Sequence, residues 1–83
     1  MLNSKTVSYP FSISDLKCLI DYSGGANPVY IGYTSPGMVT SAAAWQIRRI
    51  TYDASNNVTA VEFAGGGNDY NQVWDNRAAL SYS

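Results

Sequence analysis

The sequence predicts a small all-β domain, a five-stranded barrel or sandwich with one short helical turn before the last strand. Three observations predict it. The chain has 83 residues, which suits one domain. Apolar and polar residues alternate with a period of two in several short runs, as they do in strands. Clusters of Gly, Pro, Asn and Ser separate these runs and favour turns. Among such folds an SH3-like barrel is our specific expectation.

The chain is predicted to divide into an extended N-terminal arm, residues 1–14, and a single small β domain, residues 15–83. Serines recur through the arm, and taken as a whole it shows little periodicity. Pro10 cannot donate a hydrogen bond to a sheet. An ordered arm must lie on its own domain or on a neighbour, where it would clasp the neighbour or add to a sheet edge.

Two alternating runs predict a first hairpin. In residues 16–22, apolar side chains at the even positions alternate with Lys17 and Asp21, which indicates a strand, and only the apolar Leu19 interrupts the pattern. A helix that starts at Ser14 is the alternative. Residues 23–28 form a Gly-rich turn, and residues 29–34 alternate again. Gly32 inside this second run indicates a bend, a bulge or the close approach of another backbone.

A second hairpin is predicted over residues 45–63. A bulge near Arg48 and Arg49 would bring the apolar residues of the first strand to one face, since one extra residue resets the register. Residues 53–57 contain two Asn and predict a turn. In the strand that follows, Glu62 is opposite in parity to its apolar neighbours and is expected to point outward.

The last quarter of the chain predicts a reversal, a helical turn and a final strand. Residues 65–67 are three glycines. Asp69 and Gln72 have the spacing of a capping box, which predicts the helical turn there. Residues 78–82 alternate and predict the last strand.

Composition argues against most catalysis. There is no His, so the commonest general base and metal ligand is missing. The carboxylates fall beside turns or at strand ends, where solvated carboxylates are the usual case, so we expect no catalytic pair. The single cysteine, Cys18, cannot form an internal disulfide or a Cys-based zinc site, and we expect it to be a small buried hydrophobe. We therefore predict no enzyme, no cofactor and no metal.

Charge and hydropathy exclude two further partners. The net charge is −1, and the only adjacent cations, Arg48 and Arg49, would point to opposite faces of a strand. Nucleic-acid binding is therefore not expected. No run is long enough to span a membrane, and we expect no membrane partner.

Two binding sites are weighed and set against simpler structural roles. Residues 68–75 hold oxygen ligands of the kind that calcium uses, but their spacing is not that of an EF-hand, and a helix cap explains Asp69 without metal. Trp45 and Trp74, beside Asn- and Asp-containing loops, suit a platform for stacking sugars. In a domain of this size they are more simply core anchors. A module that binds glycans of a host surface is the alternative function.

Four stretches together resemble a family of small virion proteins of tailed bacteriophages: residues 27–33 (NPVYIGY), 44–53 (AWQIRRITYD), 61–66 (VEFAGG) and 74–78 (WDNRA). The resemblance covers roughly residues 16–83. It implies a non-enzymatic component of the tail, fibre, neck or capsid surface, made in the cytoplasm of the host bacterium and located in the virion. It carries no catalytic residues.

Composition favours the same kind of role. Only 13% of residues are charged, about half the usual share, and a domain this small buries only about 63% of its surface when it folds alone. Interface cores are rich in aromatic residues and Arg and poor in Lys and Glu, as this chain is. We expect contacts with other virion proteins or with further copies of the chain in a homo-oligomer. The expected contact residues are Tyr9, Phe11, Tyr30, Tyr33 and Arg49.

Overall fold

The computed structural model describes residues 15–83 and shows five antiparallel strands in one open sheet. The strands are β1 (Lys17–Asp21), β2 (Tyr30–Thr34), β3 (Ala43–Tyr52), β4 (Val58–Phe63) and β5 (Gln72–Val73), and a 3-10 helix (Trp74–Ala79) follows β5. The predicted all-β class with five strands and a short helix is confirmed. The predicted arm, residues 1–14, lies outside the described residues.

The sheet has the order β1-β2-β3-β4, and β5 pairs with the first residues of β3. Among residues 15–83 it does not close, so the expected SH3-like barrel is not formed. The C-terminal residues explain why the sheet stays open at the edge formed by β4. The N–H of Phe63 donates to the carbonyl of Ser83 at 3.0 Å, and the N–H of Ser83 donates back at 3.1 Å. These bonds occupy the outer edge at the end of β4, where a barrel would pair it with another strand.

Both predicted hairpins are confirmed, and local turn chemistry shapes them. Between β1 and β2, Gly24 has a φ of 80°, and the carboxylate of Asp21 accepts a hydrogen bond from the N–H of Ser23 at 2.8 Å. Between β3 and β4, the Asp53 carboxylate accepts from the N–H groups of Ser55 and Asn57, at 2.9 Å each. Asx turns of this kind reverse the chain without help from tertiary packing.

One side of the sheet is covered, and we call it the packed face. Trp45 and Ile47 of β3 are 0% and 1% exposed there. Trp74, at the start of the 3-10 helix, lies over them, with its ring centroid 5.6 Å from that of Trp45. The rest of the buried core is Ala64, and the partly buried side chains around it are Leu19, Tyr30, Leu80 and Tyr82.

Gly32 makes room for this cover. A Cβ at this position would lie 2.5 Å from Cε3 of Trp74 and 3.0 Å from Cε3 of Trp45. The predicted close approach at Gly32 is therefore present, although an indole ring makes it rather than a backbone. The missing side chain lets the 3-10 helix rest directly on the centre of the sheet.

Two predictions of local structure are wrong. The register of β3 is regular at Arg48 and Arg49, and its shift against β4 lies at Thr51 and Tyr52. The predicted bulge is therefore absent, and Ile50 lies on the face opposite Trp45, because alternation along β3 is unbroken between them.

The helical turn also lies later than predicted. Gln72 belongs to β5 and pairs with Trp45 of β3, so it does not end a capping box. The 3-10 helix begins two residues later, at Trp74. The helix includes residues 78 and 79, which are the first two residues of the predicted last strand, 78–82. What remains of that strand is a single bridge between Ala64 and Tyr82. Pairing with β3 outweighed the local capping pattern here.

Candidate functional site

The side of the sheet opposite the packed face carries an apolar surface, which we call the open face. Directly paired residues of adjacent strands project to the same side. One such row crosses all four main strands as Ile20, Ile31, Arg48 and Phe63. The open face consists of this row with its neighbours Cys18, Tyr33, Gln46, Ile50 and Val61.

The open face has no second layer among residues 15–83. The 3-10 helix packs on the other face, and no strand of the described chain lies over this one. Ile20 is 52% exposed and Val61 is 49% exposed. At one corner the loop before β5 reaches it, where the side-chain amide of Gln46 donates to the carbonyl of Asn68 at 2.9 Å. Away from the buried Gln46, the surface is therefore largely apolar and accessible.

Arg48 is the one ionised residue of the open face. Its guanidinium carbon lies 4.9 Å from the ring centroid of Tyr33 and 5.0 Å from that of Phe63. Its Nε donates to the Gln46 side-chain oxygen at 2.9 Å. The two rings and the amide hold the guanidinium flat on the sheet, in a cation–π arrangement. An Arg held between aromatic rings is typical of the residues that contribute most to protein interfaces.

The packed face contains two ion pairs. Arg49 meets Glu62 at 2.9 Å, and Arg77 of the 3-10 helix meets Asp21 of β1 at 2.7 Å. Tyr82 lies beside Arg49, and burial raises the pKa of Tyr82 to about 12. These groups join the C-terminal turn to the sheet, so their role is structural.

The structure separates the residues that were predicted to make contacts. Tyr33 lies on the open face. Tyr30 lies on the packed face beside Tyr82, with ring centroids 5.8 Å apart, and Arg49 is paired with Glu62 on the same side. Tyr9 and Phe11 lie outside the described residues. Arg48 and Arg49 do point to opposite faces, as predicted.

Two predictions of side-chain direction are wrong. Cys18 is exposed rather than buried, although partial burial raises the pKa of its thiol against the opposing effect of Arg48. Glu62 lies on the packed face and Val61 on the open one, the reverse of the prediction. The reason is shared. Sequence alternation assigns the apolar side chains of β1 and β4 to the core, but the core formed on the other side of the sheet.

The open face itself was missed by sequence reasoning for the same reason. Ile20, Ile31 and Phe63 each belong to an apolar alternation that was assigned to the interior. The available signal was an excess of apolar residues: four strands carry them on both faces, while the described part of the chain has one short 3-10 helix to cover them.

Other chemistry finds no support in the arrangement of residues 15–83. No three His, Cys, Asp or Glu side chains in this range converge to hold a metal ion. Asp21 and Glu62 are each held by an arginine. Trp45 and Trp74 are 0% and 6% exposed, so their rings are core anchors and offer no platform for sugars. No helix in this part of the chain is long and apolar enough to cross a membrane.

Comparison with protein-family models, with curated proteins and with solved structures found no match for this chain.

Proposed function

We propose that this protein is a non-enzymatic structural or assembly subunit of a tailed-bacteriophage virion, present in many copies and acting through protein–protein contacts. The observation that supports the contact role is the open face. The assignment to a virion is supported by the four sequence stretches described above. The copies associate with one another or with other virion proteins of the tail, fibre, neck or capsid surface.

The size and chemistry of the open face support an interface. Strands lie about 4.8 Å apart and residues about 3.3 Å apart, so four strands of about five residues give a footprint of roughly 300 Å². Contiguous apolar patches of about 300–600 Å² on a monomer often mark an interaction site. Its residues are aliphatic or aromatic apart from Cys18, Gln46 and Arg48, which resembles the centre of an interface rather than its rim.

Association in solution tests the role of the open face. We expect the purified protein to give a mass above that of the 9.0 kDa monomer in light scattering. Ile20→Asp or Val61→Asp places a carboxylate on the open face, where an interface would bury it, and should return the mass to that of a monomer. Both side chains are about half exposed, so the variants should fold.

The matched control is Val39→Asp. Val39 is 61% exposed and lies in the loop before β3, away from the open face. Its substitution should leave the mass unchanged. Equal loss of association in all three variants would contradict the role of the open face. A wild-type protein that stays monomeric at high concentration would remove self-assembly and leave docking on another virion protein.

Purified particles test the virion assignment separately. Quantitative mass spectrometry should find the chain in the particles at many copies each, and a phage that carries Ile20→Asp should incorporate less of it. A chain abundant in infected cells and absent from purified particles would remove the virion assignment.

A further inference from the structure

We propose that residues 7–13 of one copy lie extended across the open face of a second copy, and that reciprocal exchange of this segment joins two chains. This inference rests on the proposed function, because it names the partner of the open face. The occupant is a second copy of the same chain.

The sequence of residues 7–13 is suited to cover an apolar sheet. Val7, Tyr9, Phe11 and Ile13 alternate with Ser8, Pro10 and Ser12. In an extended segment these two sets project to opposite sides. One side is wholly apolar and aromatic, and the other carries two hydroxyls and a proline that faces water without an unpaired N–H group.

The main strands supply the complementary surface. The apolar alternations of β1 and β4 project to the open face, through Ile20 in the first strand and Val61 and Phe63 in the second. β2 does the same through Ile31 and Tyr33. Three strands therefore present apolar side chains on a side that residues 15–83 cover only at the Gln46 corner.

Length and charge also match. Seven extended residues span about 23 Å, and four strands about 4.8 Å apart span roughly 14 Å between their outer axes, so the segment crosses the whole face. Residues 6–14 contain no ionised side chain, so nothing repels Arg48. Backbone carbonyls of the segment can accept hydrogen bonds from its guanidinium.

The hinge favours a second copy over the chain's own sheet. Only residues 14–16 separate the segment from β1, so a segment that covered its own sheet would have to reverse direction within three residues. A short hinge that a reversal of the chain would strain favours exchange of equivalent elements between copies, and reciprocal exchange closes into a twofold dimer.

The test compares substitutions on the two sides of the segment, made in the full-length chain. Tyr9→Asp with Phe11→Asp charges the side that faces the sheet, and Ser8→Asp with Ser12→Asp adds the same two charges to the other side. We expect the first pair to weaken self-association by about 100-fold in light scattering or sedimentation, as loss of central interface contacts does. The serine pair should change it less than threefold. Equal effects of the two pairs would overturn the inference.

Mixing two defective variants tests exchange directly. The Ile20→Asp variant has a damaged open face and an intact segment. The Tyr9→Asp, Phe11→Asp variant has an intact open face and a damaged segment. Each should be monomeric alone. Their mixture should form a heterodimer, because one intact segment can still cover one intact face. Persistence of monomers in the mixture would overturn exchange between copies.

The outcomes separate this inference from the proposed function. If Ile20→Asp dissociates the wild-type assembly and the Tyr9→Asp, Phe11→Asp pair does not, the open face is an interface that another element covers. The inference then fails and the proposed function stands. If neither change affects the assembled mass, the inference fails and the open face has no part in self-association.

Discussion

At position 32, a Cβ would lie within 3.0 Å of ring carbons from both Trp74 and Trp45, closer than two such carbon atoms approach. The neighbours cannot yield easily, because the two indoles pack on each other and Trp45 is fully buried. Any side chain here must push the 3-10 helix away from the sheet.

Gly32→Ala should therefore destabilise the protein by about 1–3 kcal/mol, the usual cost of overpacking. For a domain of this size each kcal/mol lowers Tm by about 4–8 °C, which thermal unfolding measures. Gly67→Ala is the matched control, because a Cβ there meets nothing within 4 Å and Gly67 does not have a positive φ. An equal loss of Tm in both variants would contradict the packing argument.

At the scale of elements, the ion pair between Asp21 and Arg77 joins β1 to the 3-10 helix. Arg77 also stacks on Trp74, with its guanidinium carbon 4.6 Å from the ring centroid, and it donates to the Trp74 carbonyl at 3.1 Å. The hydrogen bond from Arg77, with a second from the Ser23 N–H, lowers the pKa of Asp21 below its usual value.

A carboxyl with a lowered pKa stabilises the fold only while it is ionised. The contribution of Asp21 is complete above its ordinary pKa of about 3.9 and is lost as the pH falls through the lower folded value. Asp21→Asn should cost about 1 kcal/mol at neutral pH, a modest effect for a partly exposed pair. The Tm of the variant and that of the wild type should converge in acid.

The control for this pH dependence is Asp69→Asn, a change at an exposed loop position. Its Tm should follow the wild type at every pH. A constant difference between Asp21→Asn and the wild type from pH 7 down to pH 2 would show that the loss does not come from ionisation.

The elements that sequence could predict are those fixed by local chemistry. Turns at residues 23–28 and 53–57 depend on Asp, Asn and Gly, so both hairpins were predictable. The end of the chain was not, because Gln72 pairs with Trp45, which is far away in sequence. The direction of the strands' side chains was not predictable either. Both faces of the sheet are apolar, and only the position of Trp74 over Gly32 decides which one forms the core.

At the scale of the whole molecule, Cys18 reports on the open face. It is the only cysteine of the chain, it is exposed, and it pairs across the sheet with Tyr33. If copies associate through the open face, the thiol should react with a maleimide more slowly as the protein concentration rises. The raised pKa of Cys18 keeps it protonated at neutral pH, so labelling is best measured in mildly alkaline buffer.

In the Ile20→Asp variant the rate should not depend on protein concentration. A wild-type rate that is also constant, from dilute to concentrated solution, would place Cys18 outside any self-interface.

The aromatic and charge-poor character of the candidate site could be predicted from the sequence. Which face of the sheet displays it could not, because that depends on the three-dimensional arrangement of the strands.

The two stacked indoles have a spectroscopic consequence. Their rings are 5.6 Å apart and inclined by 32°, so the excited states of the two chromophores mix and should produce an exciton couplet in circular dichroism. One indole belongs to the sheet and the other to the C-terminal turn. The couplet therefore vanishes when that turn lifts off, even where the strands remain intact, and it distinguishes fraying of the chain end from global melting.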